Sequence, residues 1–187
     1  MDRLCRLCLI ILAACWSATA AAAVDIHFYS KDFGASFPHA FVKFTGTVDA
    51  TGERVDTNYG FTAVRASPAV LAGPVKGKIQ TVEPGYVAHS DRHFTLRLTD
   101  EQYRMVLARI DGWRNFPQPS YRLNSRNCVH FVADIASALG LQVAPAPNLM
   151  KKPRSFLQKV TRDNQALIAQ WNGYAAPAAA AATDTAH

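Results

Sequence analysis

Cysteine is scarce in this 187-residue sequence: of four, Cys5, Cys8 and Cys15 fall in the first fifteen residues and Cys128 stands alone in the remainder. A disulfide framework is thereby excluded for the body of the chain. Runs of apolar residues long enough to cross a bilayer are missing too. The run from Leu7 to Trp16 is half the length of about 20 residues that a spanning helix needs. The sequence has no internal repeat, and its Lys and Arg residues are scattered with no interleaved aromatic ladder, which argues against nucleic acid as the partner.

What the first residues do contain is a basic start (Met-Asp-Arg-Leu-Cys-Arg), the short apolar run, and a small-residue stretch ending at Ala23, the layout of a cleavable export signal over residues 1–23. Ala21-Ala22-Ala23 suits ordinary signal peptidase. Leu12-Ala13-Ala14-Cys15 resembles a lipobox, which would leave Cys15 as a lipidated first residue; ordinary cleavage is the preferred reading. Either route predicts a periplasmic or secreted protein. The net charge of +6 becomes +5 once Arg3, Arg6 and Asp2 are removed, which suits anionic surroundings such as a cell-wall polymer or lipid headgroups, with association at a membrane surface among the expected partners. With 49% hydrophobic and 18% charged residues, the chain is expected to form one domain over 24–174, followed by a disordered Ala/Pro-rich tail over 175–187.

Within that domain, apolar alternation predicts strands over 24–30, 38–45, 54–61, 78–83 and 93–98, the second and third joined as a hairpin through Asp49-Ala50-Thr51-Gly52. Thr99 with Gln102 three residues later forms a capping-box signature. Tyr103, Val106, Leu107, Ile110 and Trp113 follow at helical spacing. A second helix opens at Cys128 behind Asn127 as cap and closes near Gly140; a third is expected over 155–171. The fold class is α+β, an antiparallel sheet packed by helices.

Cys128 is the residue that needs explaining. As the first residue of a helix it meets unsatisfied backbone N–H groups and the positive end of the helix dipole, an expectation of a lowered thiol pKa and a ready nucleophile. It shares a face with Val132, Ile135 and Leu139, so it is aimed at whatever that helix packs on. The plain alternative is a small hydrophobe filling the core.

Asn127-Cys128-Val129-His130-Phe131-Val132 resembles the Asn-Cys-x-His-Phe-Val motif of the lecithin:retinol acyltransferase-like proteins, part of the circularly permuted, NlpC-type papain-like thiol enzymes. Ser36-Phe37-Pro38-His39-Ala40-Phe41-Val42 is similar to the strand that carries the family's histidine, and Asp56-Thr57-Asn58-Tyr59 stands where the next strand carries a polar group orienting it. The resemblance covers roughly residues 36–140. It implies a permuted papain-like core and a catalytic set of Cys128, His39 and Asn58, with Asp56 as the substitute for Asn58. Cys128 would attack a carbonyl to form a thioester, His39 would move the proton, and Asn58 would fix the imidazole tautomer. The implied activity is that of a hydrolase or acyltransferase on an amide or ester, from a peptidoglycan peptide or a lipid, without metal or cofactor.

Each residue also has a simpler reading. His39 is otherwise a core histidine, Asn58 a strand-end residue and Tyr121, which matches a tyrosine that often precedes the family's cysteine, a packed aromatic. His130 points away across the helix and is expected to pair with Asp134. His89 and His93 are spaced four apart, with Cys128 and His39 as further zinc ligands, but Pro84, Gly85, Ser90 and Asp91 place them on loop or strand, where that spacing does not converge. The competing class is a non-catalytic envelope binding or assembly module with Cys128 buried and inert.

Overall fold

The computed structural model describes residues 23–32, 37–65, 67–144 and 146–173; residues 1–22 of the expected signal and the whole of the expected tail lie outside them. In chain order the elements are β1 (Val24–Lys31), β2 (His39–Thr47), β3 (Arg54–Ala63), α1 (Ala69–Ala72), β4 (Gly77–Gln80), α2 (Pro84–Ala88), β5 (Asp91–Leu98), α3 (Asp100–Arg114), α4 (Cys128–Ala138), a 3-10 turn (Pro147–Leu149), α5 (Pro153–Asp163) and α6 (Gln165–Gly173). The strands form one sheet in the order β4-β3-β2-β1-β5, every neighbour antiparallel. No helix among the described residues is long and apolar enough to cross a membrane.

Period-two alternation sorts the sheet into two faces. Ile26, Phe28, Ala40, Val42, Phe44, Phe61, Leu96 and Leu98 belong to the core, where they meet Val106 and Ile110 of α3, Phe131, Val132 and Ile135 of α4, and Phe156, Leu157 and Val160 of α5. Their neighbours in sequence turn the other way. His27 reaches across three strands on that second face, its ring nitrogens 2.8 Å from Thr45 Oγ1 and 2.8 Å from Thr95 Oγ1. Phe41 is fully buried on the same face, stacked on Tyr29 at 5.2 Å and covered by Tyr86 at 6.0 Å.

Tyr86 is there because β4 and β5 are opposite edges of the sheet, so the chain between them must cross the second face. That crossing is fastened by Asn58, whose side chain accepts from Val82 N at 2.7 Å and donates to Val82 O at 2.9 Å. The bond takes Val82 out of strand pairing, which is why β4 ends at Gln80 and not at 83. Pro84 at the first turn then opens α2, so Pro84–Ala88 of the stretch read as loop or strand is helical, while Asp91 and His93 lie in β5.

The helix ends follow their sequence signals. Thr99 and Gln102 complete a reciprocal capping box on α3, with Gln102 N to Thr99 Oγ1 at 3.2 Å and Thr99 N to Gln102 Oε1 at 2.9 Å. Gly140, at φ +83°, terminates α4 in the left-handed conformation that only glycine adopts freely. The expected single helix over 155–171 is instead two. Asn164, 3% exposed, turns its amide onto the backbone of Gln142, donating at 2.9 Å and accepting at 2.7 Å, and that exchange breaks the helix between α5 and α6.

Candidate functional site

Cys128 opens α4, and the helix start is tightly held. Asn127, 2% exposed, accepts from Val129 N at 2.8 Å and His130 N at 3.2 Å, while its own amide donates to Leu123 O and Met150 O at 2.7 Å each. His130 completes the box: its Nδ1 takes the Asn127 N–H at 3.4 Å. The expected pairing of His130 with Asp134 is therefore corrected. Asp134 accepts from Trp113 Nε1 at 2.7 Å and lies 3.7 Å from Arg109, because the buried indole needs an acceptor and the cap offers His130 a nearer partner.

Cys128 is 7% exposed and packs on the core side of the sheet. Three backbone N–H groups reach its sulfur, those of Ala40, Val129 and Cys128 itself. All three favour the thiolate, yet burial outweighs them and pushes the thiol up to about 11. The expectation of a lowered pKa is overturned here. A helix start stabilises an anion only as far as water or countercharge helps, and this sulfur is dehydrated with no cation among the described residues acting on it.

Ala40 follows His39 directly in β2. The β2–β3 ladder extends from Val42–Tyr59 to Thr47–Arg54, so among the described residues His39, Ala40 and Phe41 pair with β1 and not with β3. In that splayed stretch the His39 ring lies over Gly60. A Cβ on Gly60 would fall 2.3 Å from His39 Nε2 and 3.0 Å from Cε1, so the bare glycine is what makes room. The imidazole stacks on Phe41 at 6.1 Å, and burial lowers its pKa to about 4. His39 thus shares the face of Phe41, opposite the one on which Cys128 packs, and among the described residues no hydrogen bond joins imidazole to sulfur; at neutral pH both groups are uncharged.

Tyr121 joins this group. Its ring stacks on Phe61 at 5.8 Å, and burial together with the neighbouring Cys128 pushes its hydroxyl up to about 12. The third residue of the expected set is elsewhere. Asn58 pairs with Lys43, four positions along β2 from His39, and its amide is spent on Val82. Asp56 is farther along still, in an ion pair with Lys43 at 2.7 Å. Neither is joined to the imidazole. His89 Nδ1 lies 2.7 Å from Gly85 O and His93 Nε2 lies 2.7 Å from Ser30 Oγ, so the two rings turn to separate partners.

Two participants escaped the sequence reading. Ala40 contributes a backbone donor, which leaves no trace in a sequence. Gly60 did leave one, an isolated glycine inside a strand, the mark of a close approach.

The chain is thus an α+β protein, a five-stranded antiparallel sheet with helices packed on it, and it shares that fold with a protein of known structure. The crystal structure of the type VI secretion system effector TseH aligns with it at a TM-score of 0.50 and 17% identity, over 76% of this chain and 89% of that one. No protein-family model and no curated protein matches the sequence.

Proposed function

We propose that this chain is an exported thiol hydrolase or acyltransferase with a permuted papain-like core, acting on an amide or ester through Cys128 and His39. The observation that carries the reading is that the helix-initial Cys128 sulfur takes the N–H of Ala40 at the start of β2; His39, one position earlier and on the opposite face of the strand, has to turn about that splayed strand start to reach it. The likeness to TseH, a type VI secretion system effector, is compatible at the level of fold.

In this mechanism Cys128 attacks the carbonyl carbon and its proton passes to His39. The tetrahedral oxyanion is held by the backbone N–H of Cys128, those of Val129 and His130 being engaged by Asn127, and the proton then goes from His39 to the departing amine or alcohol as the C–N or C–O bond breaks. Water or an acceptor hydroxyl next attacks the thioester carbon, His39 takes its proton, and the thiol is restored. Because both groups rest uncharged and the imidazole lies on the far face of β2, the proton moves only once substrate has brought the ring round to the sulfur, unlike a preformed thiolate–imidazolium pair.

The burial of Cys128 favours a second reading, a non-catalytic envelope module with an inert core thiol. Incubation with muropeptides and with phospholipids, with products identified by mass spectrometry, separates the two. The enzyme reading requires turnover of one substrate class and its loss in both Cys128→Ala and His39→Ala. Turnover that survives Cys128→Ala overturns it.

A further inference from the structure

Among the described residues four large hydrophobic side chains stand exposed, and all four gather at one end of the molecule. Phe37, 69% exposed, precedes the first residue of β2; Val64, 45%, follows the last of β3; Leu71, 79%, projects from α1 in the β3–β4 connection. Since β2 and β3 are antiparallel, these three share the end of the sheet that His39 and Cys128 occupy. Phe116, 45%, reaches the same end from the finish of α3, its ring 3.8 Å from the guanidinium of Arg126, two residues before Cys128.

Charge divides along the same axis. Arg65 follows Val64, Lys76 pairs with Val64 through the backbone at 2.8 Å, Arg122 follows Tyr121, and Lys151 and Lys152 follow Met150, whose carbonyl caps the Asn127 amide. All five are exposed. The carboxylates at this end are engaged: Asp32 and Asp91 flank Arg154, and Asp111 pairs with Arg114. The opposite end, at the β2–β3 turn and the start of α3, carries Asp49, Glu53, Asp100 and Glu101 together with Arg54 and Arg104.

We propose that the Cys128 end docks onto an anionic phospholipid surface. Exposed lysines and arginines around a set of apolar side chains match the two layers such a surface presents, phosphate headgroups outside and acyl chain just beneath. A hydrophilic cell-wall polymer would satisfy the cations and leave four apolar side chains in water. The inference rests on the thiol reading only in making the docked end the reactive one; the binding itself does not require catalysis.

The test is co-sedimentation of the full chain with vesicles of phosphatidylcholine alone and of phosphatidylcholine mixed with phosphatidylglycerol, with purified sacculi in parallel. Binding is expected to the phosphatidylglycerol vesicles and to be unchanged in Cys128→Ala, which separates docking from turnover. Lys151→Glu with Lys152→Glu is expected to lower partitioning roughly tenfold or more. Phe37→Asp with Leu71→Asp is expected to lower it by a similar factor, and both pairs leave the thermal midpoint in place because the side chains are exposed. Equal partitioning onto neutral and anionic vesicles, indifference to either pair of substitutions, or binding to sacculi in place of vesicles overturns the proposal.

Discussion

At the scale of single residues, the site is governed by dehydration. Cys128 holds its proton up to about pH 11, whereas an unfolded chain releases it near 8.5 to 9. A raised folded pKa means stability that is complete below the unfolded value and lost as pH rises through the folded one. Between about pH 9 and 11 the thiol is thus expected to cost the fold roughly 3 kcal/mol. Urea unfolding of Cys128→Ala, compared with the unsubstituted chain over that window, reads the term directly: the slopes of stability against pH differ only if the thiol is dehydrated. Alkylation by iodoacetamide, followed at the Cys128 peptide by mass, is correspondingly expected to be slower near neutrality than for a free thiol. Gly60 offers a second residue-scale test. A methyl group there lies 2.3 Å from His39 Nε2, so Gly60→Ala must swing the imidazole away. Turnover is expected to fall by about 100-fold, the order associated with a misplacement near 1 Å, while the fold has to ease only the Cβ of Phe41, 3.2 Å away, besides the movable ring. Full activity in that variant would separate His39 from the chemistry.

At the scale of elements, the same amide side chain has opposite meanings in sequence and in space. Asn58 stands in the strand after His39, which is where the family resemblance seeks an orienting group, yet its register opposite Lys43 and its two bonds to Val82 make it the fastener of the crossing segment. Asn58→Ala leaves the carbonyl and N–H of half-buried Val82 without their side-chain partner and is expected to cost about 1 kcal/mol. Hydrogen exchange over 81–90 is expected to accelerate, because that segment spans the sheet on few other bonds. The shape of the pH–rate profile is expected to stay as it was; a shift of its acidic limb in Asn58→Ala would instead tie this residue to the imidazole. Signals carried by local chemistry, the Thr99 box, the Asn127 cap and the Gly140 terminator, were legible because each is completed within a few residues, although the part His130 plays in the Asn127 cap was not. The break at Asn164 and the end of β4 were not, since each is imposed by a side chain bonding to backbone about twenty residues away.

Over the whole molecule, alternation and helical spacing were enough to read five strands, their antiparallel class and the two main helices, because burying one face is a property of each segment by itself. The relation of Cys128 to β2 was legible only through the two motifs, and the protonation state of the site not at all: pKa values depend on water exclusion by the assembled fold. Histidine makes that assembly measurable. His27, His39, His93 and His130 all have lowered pKa values, with burial as the first cause in each. They occupy distinct joints: His27 ties β1 to β2 and β5, His93 ties β5 to Ser30 of β1, His39 fills the splayed end of β2, and His130 closes the cap of α4. A base with a depressed folded pKa contributes stability that is present above its unfolded value and is lost as pH falls through the folded one. Unfolding should accordingly take up protons between pH 6.5 and about 4, and His39, half-buried, accounts for up to roughly 3 kcal/mol of the loss. Denaturant titrations from pH 7 down to 4 are expected to show stability declining below 6.5, ahead of the range in which ordinary carboxylates titrate. His39→Gln, which cannot take up a proton, is expected to remove part of that decline and leave the share due to the other three. A stability that stays level until carboxylates begin to protonate would mean that water reaches these rings, and with it the sheet end where Cys128 lies.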